Sequence, residues 1–441
     1  MFPFLNVYRV YVFPDNVSFF LKNNKHLSVT KDAWEILKYC DGGNSFNRIQ
    51  EIVNVDYEIS IDDLTEFLKK AKELSIIEYN SIPKKEEIMV FGDGKRIVPL
   101  ALSLELTNKC NLECNYCYGG FKKTGRKFWK TEDLKVLFDD FAKIGCMILE
   151  LTGGEPLLHP EFNEILLLSL KKFEVVNILT NGVLLNDQII DIIAENKKRI
   201  GIQISIDGST EETNYKVRGV KNTFEKTLQA IRQLRNKGIY YKIAYITTTD
   251  NIHEIPAICE LFRKEKINNL LISKATGFGR ACSQKDCLVS NENDDFAKIV
   301  NTMVKEYTDV INEVHYQDFF TLPVIDRNCG AGWKLFSISA EGNIGSCAIL
   351  GKNGYIGNVL NQSIHKILEL PICELYSNFS IQRNEESCIE CSYYNYCGRC
   401  ITRIYSANIQ KIKDGLDLCE IAKRNKMDLF LNFNSDFAFL L

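Results

Sequence analysis

The chain has 441 residues, a formal net charge of −3, and contents of 45% hydrophobic and 25% charged residues. This length allows two or three domains, and the composition is ordinary for a globular protein. The near-neutral charge gives no bulk attraction to nucleic acid or anionic lipid. Because the sequence shows no N-terminal signal and no run of about 18 apolar residues, we expect a cytoplasmic protein with no nucleic-acid or membrane partner.

The first segment, residues 1–82, is predicted to form a small α+β unit. Apolar residues alternate, as in half-buried strands, over three short runs: residues 7–12, 17–21 and 26–29. Three helices should follow, each with a hydroxyl side chain placed to cap its first turn: Thr30, Ser45 and Ser60. Residues 83–99 combine a proline, a charged run and two glycines, and we interpret them as a linker.

Residues 100–290 alternate between strands and amphipathic helices. Six apolar runs are candidate strands: residues 100–106, 147–151, 175–180, 202–206, 242–247 and 270–273. Repeated βα units produce a parallel sheet that binds its ligands at the carboxyl ends of the strands. Six units predict an α/β fold with a partial (β/α)6 barrel.

The rest of the chain is predicted to contain a bridging helical region, residues 291–325, and a cysteine-rich segment, residues 326–441. The second has few long periodic runs and buries little apolar surface, so bound metal should stabilise its fold. The sixteen cysteines of the chain agree with this, because so many in a reducing compartment indicate metal rather than disulfides. Six cysteines stand apart and are interpreted as small buried hydrophobic residues: Cys40, Cys146, Cys259, Cys282, Cys287 and Cys373.

Three cysteines lie in the loop after the first barrel strand, spaced C-x3-C-x2-C: Cys110, Cys114 and Cys117. Three thiolates leave one iron of a [4Fe–4S] cluster open to a chelating ligand, whereas a three-ligand zinc site is the simpler alternative. With the aromatic Tyr116 before the last cysteine, this spacing resembles the radical SAM superfamily. The resemblance implies that the three cysteines are catalytic and hold a cluster that cleaves S-adenosylmethionine (SAM), with Tyr116 beside its adenine.

Further matches to this superfamily follow later predicted strands. Gly153, Gly154 and Glu155 stand where the superfamily binds the methionine amine of SAM, and a carboxylate suits an ammonium group. The resemblance also implies contacts with the ribose and carboxylate of SAM at the following residues: Asn181, Ser205, Asp207 and Arg218. Residues 277–280 resemble the loop on the adenine side.

Seven more cysteines resemble a SPASM domain. The resemblance implies two auxiliary [4Fe–4S] clusters, and so three clusters in all. One would be held by Cys388, Cys391, Cys397 and Cys419, and the other by Cys329, Cys347 and Cys400. Two residues, not the usual three, separate Cys397 from Cys400, which leaves the reach of the last ligand open. A zinc ribbon is the alternative that the C-x2-C pairs alone favour.

The N-terminal unit resembles the PqqD-like recognition element of peptide-modifying enzymes. That resemblance implies that residues 26–74 bind the leader of a ribosomally made precursor peptide as an added strand. A winged-helix-like structural or dimerisation domain is the alternative. The first four residues and residues 328–334 resemble the subtilosin-type sactipeptide maturases, which join a cysteine sulfur to an α-carbon during bacteriocin biosynthesis.

The implied protein is a radical SAM oxidoreductase that receives electrons from a donor such as flavodoxin or ferredoxin. Several other reactions share the same motifs: β- or γ-carbon thioethers, C–C cross-links and epimerisation. A sulfatase-activating oxidase would leave the N-terminal unit without a role, and a non-catalytic metal-bound peptide carrier would not need Glu155. Asp326 and Glu105 are candidate bases, although solvated or structural roles are the simpler interpretation of both.

Overall fold

The computed structural model describes residues 1–14, 16–23, 25–283, 285–288, 295–311, 329–379, 388, 391, 400–413 and 415–424. These residues fall into two compact units, one from Met1 to Val98 and the other from Pro99 onward. Within the described ranges, no helix combines the length and the apolar character that crossing a membrane requires.

The first unit contains six strands and three helices. The strands are β1 (Phe2–Leu5), β2 (Val7–Val12), β3 (Val17–Leu21), β4 (His26–Val29), β5 (Ile77–Asn80) and β6 (Met89–Phe91). The helices are α1 (Lys31–Leu37), α2 (Phe46–Asp56) and α3 (Ile61–Glu73). β1 pairs with β5, and the other strands form a sheet in the order β4-β3-β2-β6.

The structure confirms the predicted hairpin, the third strand and the three caps. The hydroxyls of Thr30, Ser45 and Ser60 each accept a hydrogen bond from a backbone N–H in the first turn of α1, α2 and α3. Such a cap stabilises a helix by about 1 kcal/mol. The helices bury apolar side chains such as Trp34 and Leu64 in one core with the strands.

The expected linker differs from what is observed. Residues 83–99 include β6, which runs parallel to β2 with Met89 opposite Arg9. The first compact unit therefore continues to Val98. A strand of three residues is too short to show a period, which is why the sequence did not reveal it.

The second unit is built on a nine-stranded sheet. Its strands are β7 (Ala101–Glu105), β8 (Ile148–Thr152), β9 (Val175–Thr180), β10 (Ile200–Ser205), β11 (Tyr241–Thr247), β12 (Leu270–Lys274), β13 (Leu335–Ile338), β14 (Asn343–Gly345) and β15 (Tyr355–Asn358). The order is β12-β11-β10-β9-β8-β7-β13-β14-β15. Neighbours from β7 to β12 are parallel, which confirms the predicted partial barrel of six βα units.

Helices connect these strands and continue beyond them. In the barrel region they are α4 (Thr131–Lys143), α5 (Phe162–Lys172), α6 (Asp187–Glu195), α7 (Glu211–Arg218), α8 (Phe224–Asn236), α9 (Ile255–Glu265), α10 (Arg280–Ser283) and α11 (Asp295–Glu306). Later helices are α12 (Ile364–Leu368), α13 (Pro371–Asn378), α14 (Ile401–Lys413) and α15 (Glu420–Arg424). Of the predicted bridging region, α11 is described, and residues 312–325 lie outside the described ranges.

The cysteine-rich segment shares its sheet with the barrel. β13 runs parallel to β7, with Phe336 opposite Leu102, and β14 and β15 continue the sheet in antiparallel order. The first barrel strand is therefore covered on its open side by the chain that carries Cys329 and Cys347. Both cysteine-bearing regions consequently adjoin β7 in one sheet.

Candidate functional site

The three-cysteine loop follows β7 directly, at the carboxyl end of the parallel strands. Cys110 is buried, and Cys114 and Cys117 are half-buried. All three belong to one packed cluster with Leu112 and Phe121. This is the end of the sheet at which an α/β fold binds its ligands.

The ends of other elements hold the backbone of this loop in place. Glu113 and Asn115 donate backbone N–H bonds to the carbonyls of Arg218 and Val217 at 3.0 and 2.9 Å. On another side, the backbone N–H of Arg280 donates to the carbonyl of Cys117 at 2.8 Å, and its guanidinium donates to the carbonyl of Cys114. These bonds hold the backbone that carries the three thiols.

Residues 277–280, expected beside adenine, thus contact the cysteine loop itself. Gly279 has φ = +59°, and a Cβ there would lie 2.0 Å from the carbonyl oxygen of Tyr118. Only glycine fits such a close approach.

Gly153 and Gly154 also lie against the cysteine loop. A Cβ on Gly154 would lie 2.2 Å from the carbonyl oxygen of Lys109, and Gly153 has φ = +124°. The backbone N–H of Gly154 donates to Thr107, and that of Glu155 to Lys109, at 2.8 and 2.9 Å. We expected these glycines to lie beside a bound ligand. In the structure they allow the backbone of Thr107 and Lys109 to approach closely.

Glu155 is buried, with 1% of its surface exposed, and its carboxylate accepts three hydrogen bonds. The donors are the hydroxyl of Thr180 at 2.6 Å and the backbone N–H groups of Leu157 at 3.1 Å and Asn181 at 2.8 Å. Burial raises the pKa of Glu155 to about 7, although these bonds act in the opposite direction. A buried carboxylate of this kind gains stability when a cationic ligand such as an ammonium group approaches.

Asn181 links the same region to the cysteine loop. Its side-chain amide donates to the Oδ1 atom of Asn111 at 2.8 Å, and Asn111 immediately follows Cys110. Ser205 is the last residue of β10 and is half-buried at the same edge of the sheet. The structure therefore places both residues near the strand ends, as predicted.

Tyr116, Asp207 and Arg218 form one cluster, in which Asp207 and Arg218 are buried. The hydroxyl of Tyr116 donates to Oδ2 of Asp207 at 2.6 Å, and Nε of Arg218 lies 2.8 Å from the same oxygen. Oδ1 of Asp207 accepts from the backbone N–H of Ile246 at 2.8 Å. The structure thus shows Asp207 and Arg218 bonded to each other and to the aromatic residue of the cysteine motif. Their contact with SAM stays a prediction.

The donor set of the loop fits an iron–sulfur cluster. Burial raises the pKa of the Cys110 and Cys114 thiols to about 12. A buried thiolate therefore needs a cationic partner, which an iron centre supplies. Among the described residues, no three Cys, His, Asp or Glu side chains converge on a position for a single metal ion. A [4Fe–4S] cluster does not require that, because each thiolate binds a different iron.

Cys329, Cys347 and Cys400 lie together, although they come from distant parts of the sequence. Cys329 and Cys400 share a side-chain hydrogen bond, which raises the pKa of Cys329. The charges of Cys347 and Cys400 raise it further, so all three thiols are neighbours. The role of these three thiols as ligands of an auxiliary cluster stays a prediction.

The other auxiliary set is described in part. Asn408 on α14 donates to Sγ of Cys419 at 3.3 Å, and Lys411, one turn later, has its Nζ 3.9 Å from Sγ of Cys391. The backbone N–H of Cys391 donates to the carbonyl of Cys388 at 3.3 Å. Cys397 lies outside the described residues.

The remaining cysteines mostly match their prediction. Five are buried and free of disulfides: Cys40, Cys146, Cys259, Cys287 and Cys373. The side chain of Cys282 lies outside the described ones. Sequence reasoning missed Asn111, Thr180 and Tyr118, which bond to site residues. Thr180 directly precedes Asn181, and Asn111 directly follows Cys110. This adjacency in the sequence was the signal that could have identified them as site residues.

Comparison with known proteins gives the same assignment. Residues 104–262 match the model of the radical SAM superfamily. This is a radical SAM protein. Two curated relatives come from Bacillus subtilis (strain 168). The antilisterial bacteriocin subtilosin biosynthesis protein AlbA is 28% identical over 97% of this chain and 98% of its own length. The sporulation killing factor maturation protein SkfB is 25% identical over 80% of each chain.

A solved structure resembles this radical SAM protein in fold. The crystal structure of Streptococcus suis SuiB bound to precursor peptide SuiA has a TM-score of 0.65. It covers 95% of this chain and 99% of SuiB, with 14% sequence identity. The superfamily implies SAM and a [4Fe–4S] cluster, and that Cys110, Cys114 and Cys117 supply its thiolates stays a prediction. The chain is therefore a radical SAM enzyme.

Proposed function

We propose that this enzyme joins cysteine sulfurs to α-carbons within a ribosomally made precursor peptide. The observation that carries the proposal is the near end-to-end match to AlbA, over 97% of this chain and 98% of that protein. The match spans the N-terminal unit, the barrel and the second cysteine region together. The product would be a sactipeptide bacteriocin, and the enzyme a cytoplasmic maturase.

The first site would generate the radical. Cys110, Cys114 and Cys117 would hold the [4Fe–4S] cluster, which together with SAM supplies a 5′-deoxyadenosyl radical when bound. Glu155 would accept the ammonium group of SAM. Tyr116 would lie beside the adenine, with its hydroxyl fixed by Asp207, so the buried ion pair would orient the aromatic ring.

Further SAM contacts complete the proposed site. Gly153, Gly154 and Asn181 would line the amine side, and Ser205 the ribose side. Arg218 would offer its remaining guanidinium hydrogens to the carboxylate of SAM.

The reaction must remove two hydrogens and form one C–S bond per link. One hydrogen atom would leave the acceptor α-carbon, taken by the radical that SAM supplies when bound, and one proton would leave the cysteine thiol. One electron remains, and an oxidised auxiliary iron–sulfur centre is a suitable acceptor class. We assign one such centre to Cys329, Cys347 and Cys400, and the other to Cys388, Cys391, Cys397 and Cys419. A flavodoxin or ferredoxin would supply the electron that starts each cycle.

The precursor peptide would bind first through its leader. β4 lies at one edge of the four-stranded sheet, where, among the described strands, it pairs with β3 alone. Because the backbone N–H of Leu21 bonds to the carbonyl of Lys25, the alternation of an antiparallel ladder directs the N–H of Ser28 to the outer edge. An extended leader can add to such an edge as a further strand.

Mass spectrometry of the co-expressed precursor tests the reaction. Each thioether lowers the peptide mass by about 2 Da and protects one cysteine from alkylation, which follows from the two hydrogens lost. Fragmentation locates the link on the acceptor α-carbon. An unchanged mass would indicate epimerisation, and a loss of two hydrogens with all thiols free would indicate a C–C cross-link. Either result would contradict the proposal.

Leader binding is tested separately with a fluorescent leader peptide. Ser28→Pro removes the outward N–H and should weaken binding at least about tenfold, while Ser28→Ala keeps that N–H and should bind normally. A leader that binds Ser28→Pro as tightly as the unmodified enzyme would exclude β4 as its edge.

A further inference from the structure

A carboxylate outside the proposed SAM contacts lies at the end of β7. Glu105 is the last residue of that strand, lies opposite Thr152 of β8 and is half-buried. Alternate residues share a strand face, so Glu105 lies on the face of Ser103, which is opposite Glu150. This polar face ends at the edge of the sheet that carries the three-cysteine loop.

Tyr118 connects Glu105 with both cysteine regions. Its hydroxyl donates to Oε1 of Glu105 at 3.5 Å. Burial, followed by the charges of Glu105, Cys117 and Cys347, raises the pKa of Tyr118. Cys117 belongs to the radical-generating loop and Cys347 to the second cysteine region. Glu105 is therefore bonded to the residue that directly follows Cys117.

The carboxylate of Glu105 retains capacity to accept a proton. Glu155 accepts three hydrogen bonds. Asp207 accepts two and forms an ion pair with Arg218. Glu105 accepts the long bond from Tyr118 and one from the backbone of Ala340. An ionised carboxylate has about four acceptor positions, so, with the donors that the described residues supply, at least one remains for a donor from a substrate.

The surroundings of Glu105 bring its pKa close to that of a cysteine thiol. Burial, and then the like charge of Glu341, raises the pKa of Glu105 to about 8, whereas the bonds from Tyr118 and Ala340 oppose this. Tyr355 on β15 faces the same carboxylates. A free cysteine thiol has a pKa of about 8.5. A general base works best when its pKa is close to that of the proton donor and to the working pH.

We infer that Glu105 is the base that takes the proton from the substrate cysteine thiol, and that Tyr118 positions its carboxylate. The inference rests on the proposed thioether function. The S–H bond breaks, the proton moves to a carboxylate oxygen of Glu105, and the electron pair stays on sulfur. The hydrogen atom and the electron leave as described above, so the reaction balances.

The test compares the thioether formed with the 5′-deoxyadenosine released by the reconstituted holoenzyme. In the unmodified enzyme this ratio should rise with pH through about 8, because the basic form of Glu105 exists above its pKa. Glu105→Gln should lower the ratio several-fold at pH 8, because only a minority of cysteine thiols is ionised there without a base. A precursor with selenocysteine in place of cysteine should restore the ratio, because a selenol is already ionised at that pH.

Two further measurements distinguish a base from a structural residue. Glu341→Gln removes the like charge beside Glu105, so the pH midpoint of the ratio should fall. Infrared difference spectra of the holoenzyme should show a carboxylic acid band that disappears near pH 8 and is missing from Glu105→Gln. An equal ratio in Glu105→Gln and the unmodified enzyme, or no rescue by selenocysteine, would refute the role of Glu105. If the unmodified enzyme forms no thioether, the proposed function itself fails.

Discussion

The two cysteine regions of this enzyme are built in different ways. Cys110, Cys114 and Cys117 come from one loop of eight residues, which backbone bonds from two other segments hold. Cys329, Cys347 and Cys400 come from segments up to 71 positions apart in the sequence. The first region is held by backbone hydrogen bonds, whereas the second brings distant thiols together, where the bond between Cys329 and Cys400 and the burial of Cys347 disfavour the ionised forms.

This difference suggests separate dependences on iron. A loop fixed by hydrogen bonds should keep its shape without a cluster, so that the enzyme can take up iron and SAM in a prepared site. If the proposed auxiliary cluster joins the thiols of the separate segments, its binding also contributes to folding. We therefore expect a cluster at the first site to serve the reaction, and a cluster at the second site to serve the reaction and to stabilise the fold.

The largest expected effect comes from removing the first set of thiols. Cys114→Ala should abolish detectable 5′-deoxyadenosine formation and lower the iron content by about four atoms per chain, because the cluster loses an essential ligand. The circular dichroism and melting temperature of the iron-free protein should change little. Cys146→Ala, at a buried cysteine outside both regions, is the control. Persistent SAM cleavage in Cys114→Ala would contradict the assignment of this loop.

Removing a thiol of the second region should have a different result. Cys347→Ala should lose thioether formation at least about a hundredfold while still cleaving SAM, since the radical site is intact. Hydrogen exchange should accelerate at residues 329–350 and 400–413, but not in the barrel helices. If Cys347→Ala loses SAM cleavage and thioether formation equally, the two regions are not separable.

The sequence predicted the barrel because its signals are local. Each of the six apolar runs spans only a few residues, and so does the C-x3-C-x2-C motif. A short window of sequence is therefore enough to recognise them. β13 shows the opposite case, because Phe336 pairs with Leu102 over a sequence separation that no window can cover. The parallel addition of the cysteine-rich segment to β7 therefore became visible in the structure alone.

The candidate site shows the same division between local and distant information. Glu155 and the three cysteines were identifiable from their motifs. The pairing of Asp207 with Arg218 and Tyr116 could not be identified from the sequence. Each of these side chains could contact a ligand as readily as another protein residue. Only their distances show that the protein uses these charges to bind its own groups. Glu105 was noted as a candidate base, but its contacts with Tyr118 and Ala340 depend on tertiary structure.

A smaller effect should follow from crowding the first loop. Gly154→Ala would place a methyl group 2.2 Å from the carbonyl oxygen of Lys109. The loop must shift, at a cost of about 2–4 kcal/mol in unfolding free energy, and SAM affinity should fall with it. Thermal and chemical unfolding of the iron-free protein measures the cost.

Gly120→Ala is the matched control for this prediction. Gly120 lies next to the same loop with φ = +59°, and a Cβ there would meet nothing within 4 Å beyond its two chain neighbours. Its cost should be limited to about 1–2 kcal/mol of backbone strain. Equal destabilisation by both substitutions would show that the loop is not as tightly held as the hydrogen bonds indicate.

The smallest expected effect concerns hydrogen bonding to the second region. Asn408 is buried, donates to Sγ of Cys419 at 3.3 Å and accepts from the backbone N–H of the same residue at 2.9 Å. Hydrogen bonds to ligand sulfurs stabilise the reduced form of a cluster. Asn408→Ala should therefore lower the reduction potential of the proposed auxiliary cluster on Cys419 by roughly 20–60 mV, which corresponds to about one hydrogen bond.

Redox titration followed by electron paramagnetic resonance measures that shift, and the cluster on Cys110, Cys114 and Cys117 serves as an internal control within the same sample. Its potential should not change, because its thiols receive their bonds from other segments. A shift in both potentials would mean that Asn408 acts on the fold as a whole. A more positive potential for the auxiliary cluster alone would show that the amide does not donate to the bound sulfur, and a different donor would then have to stabilise the thiolate of Cys419.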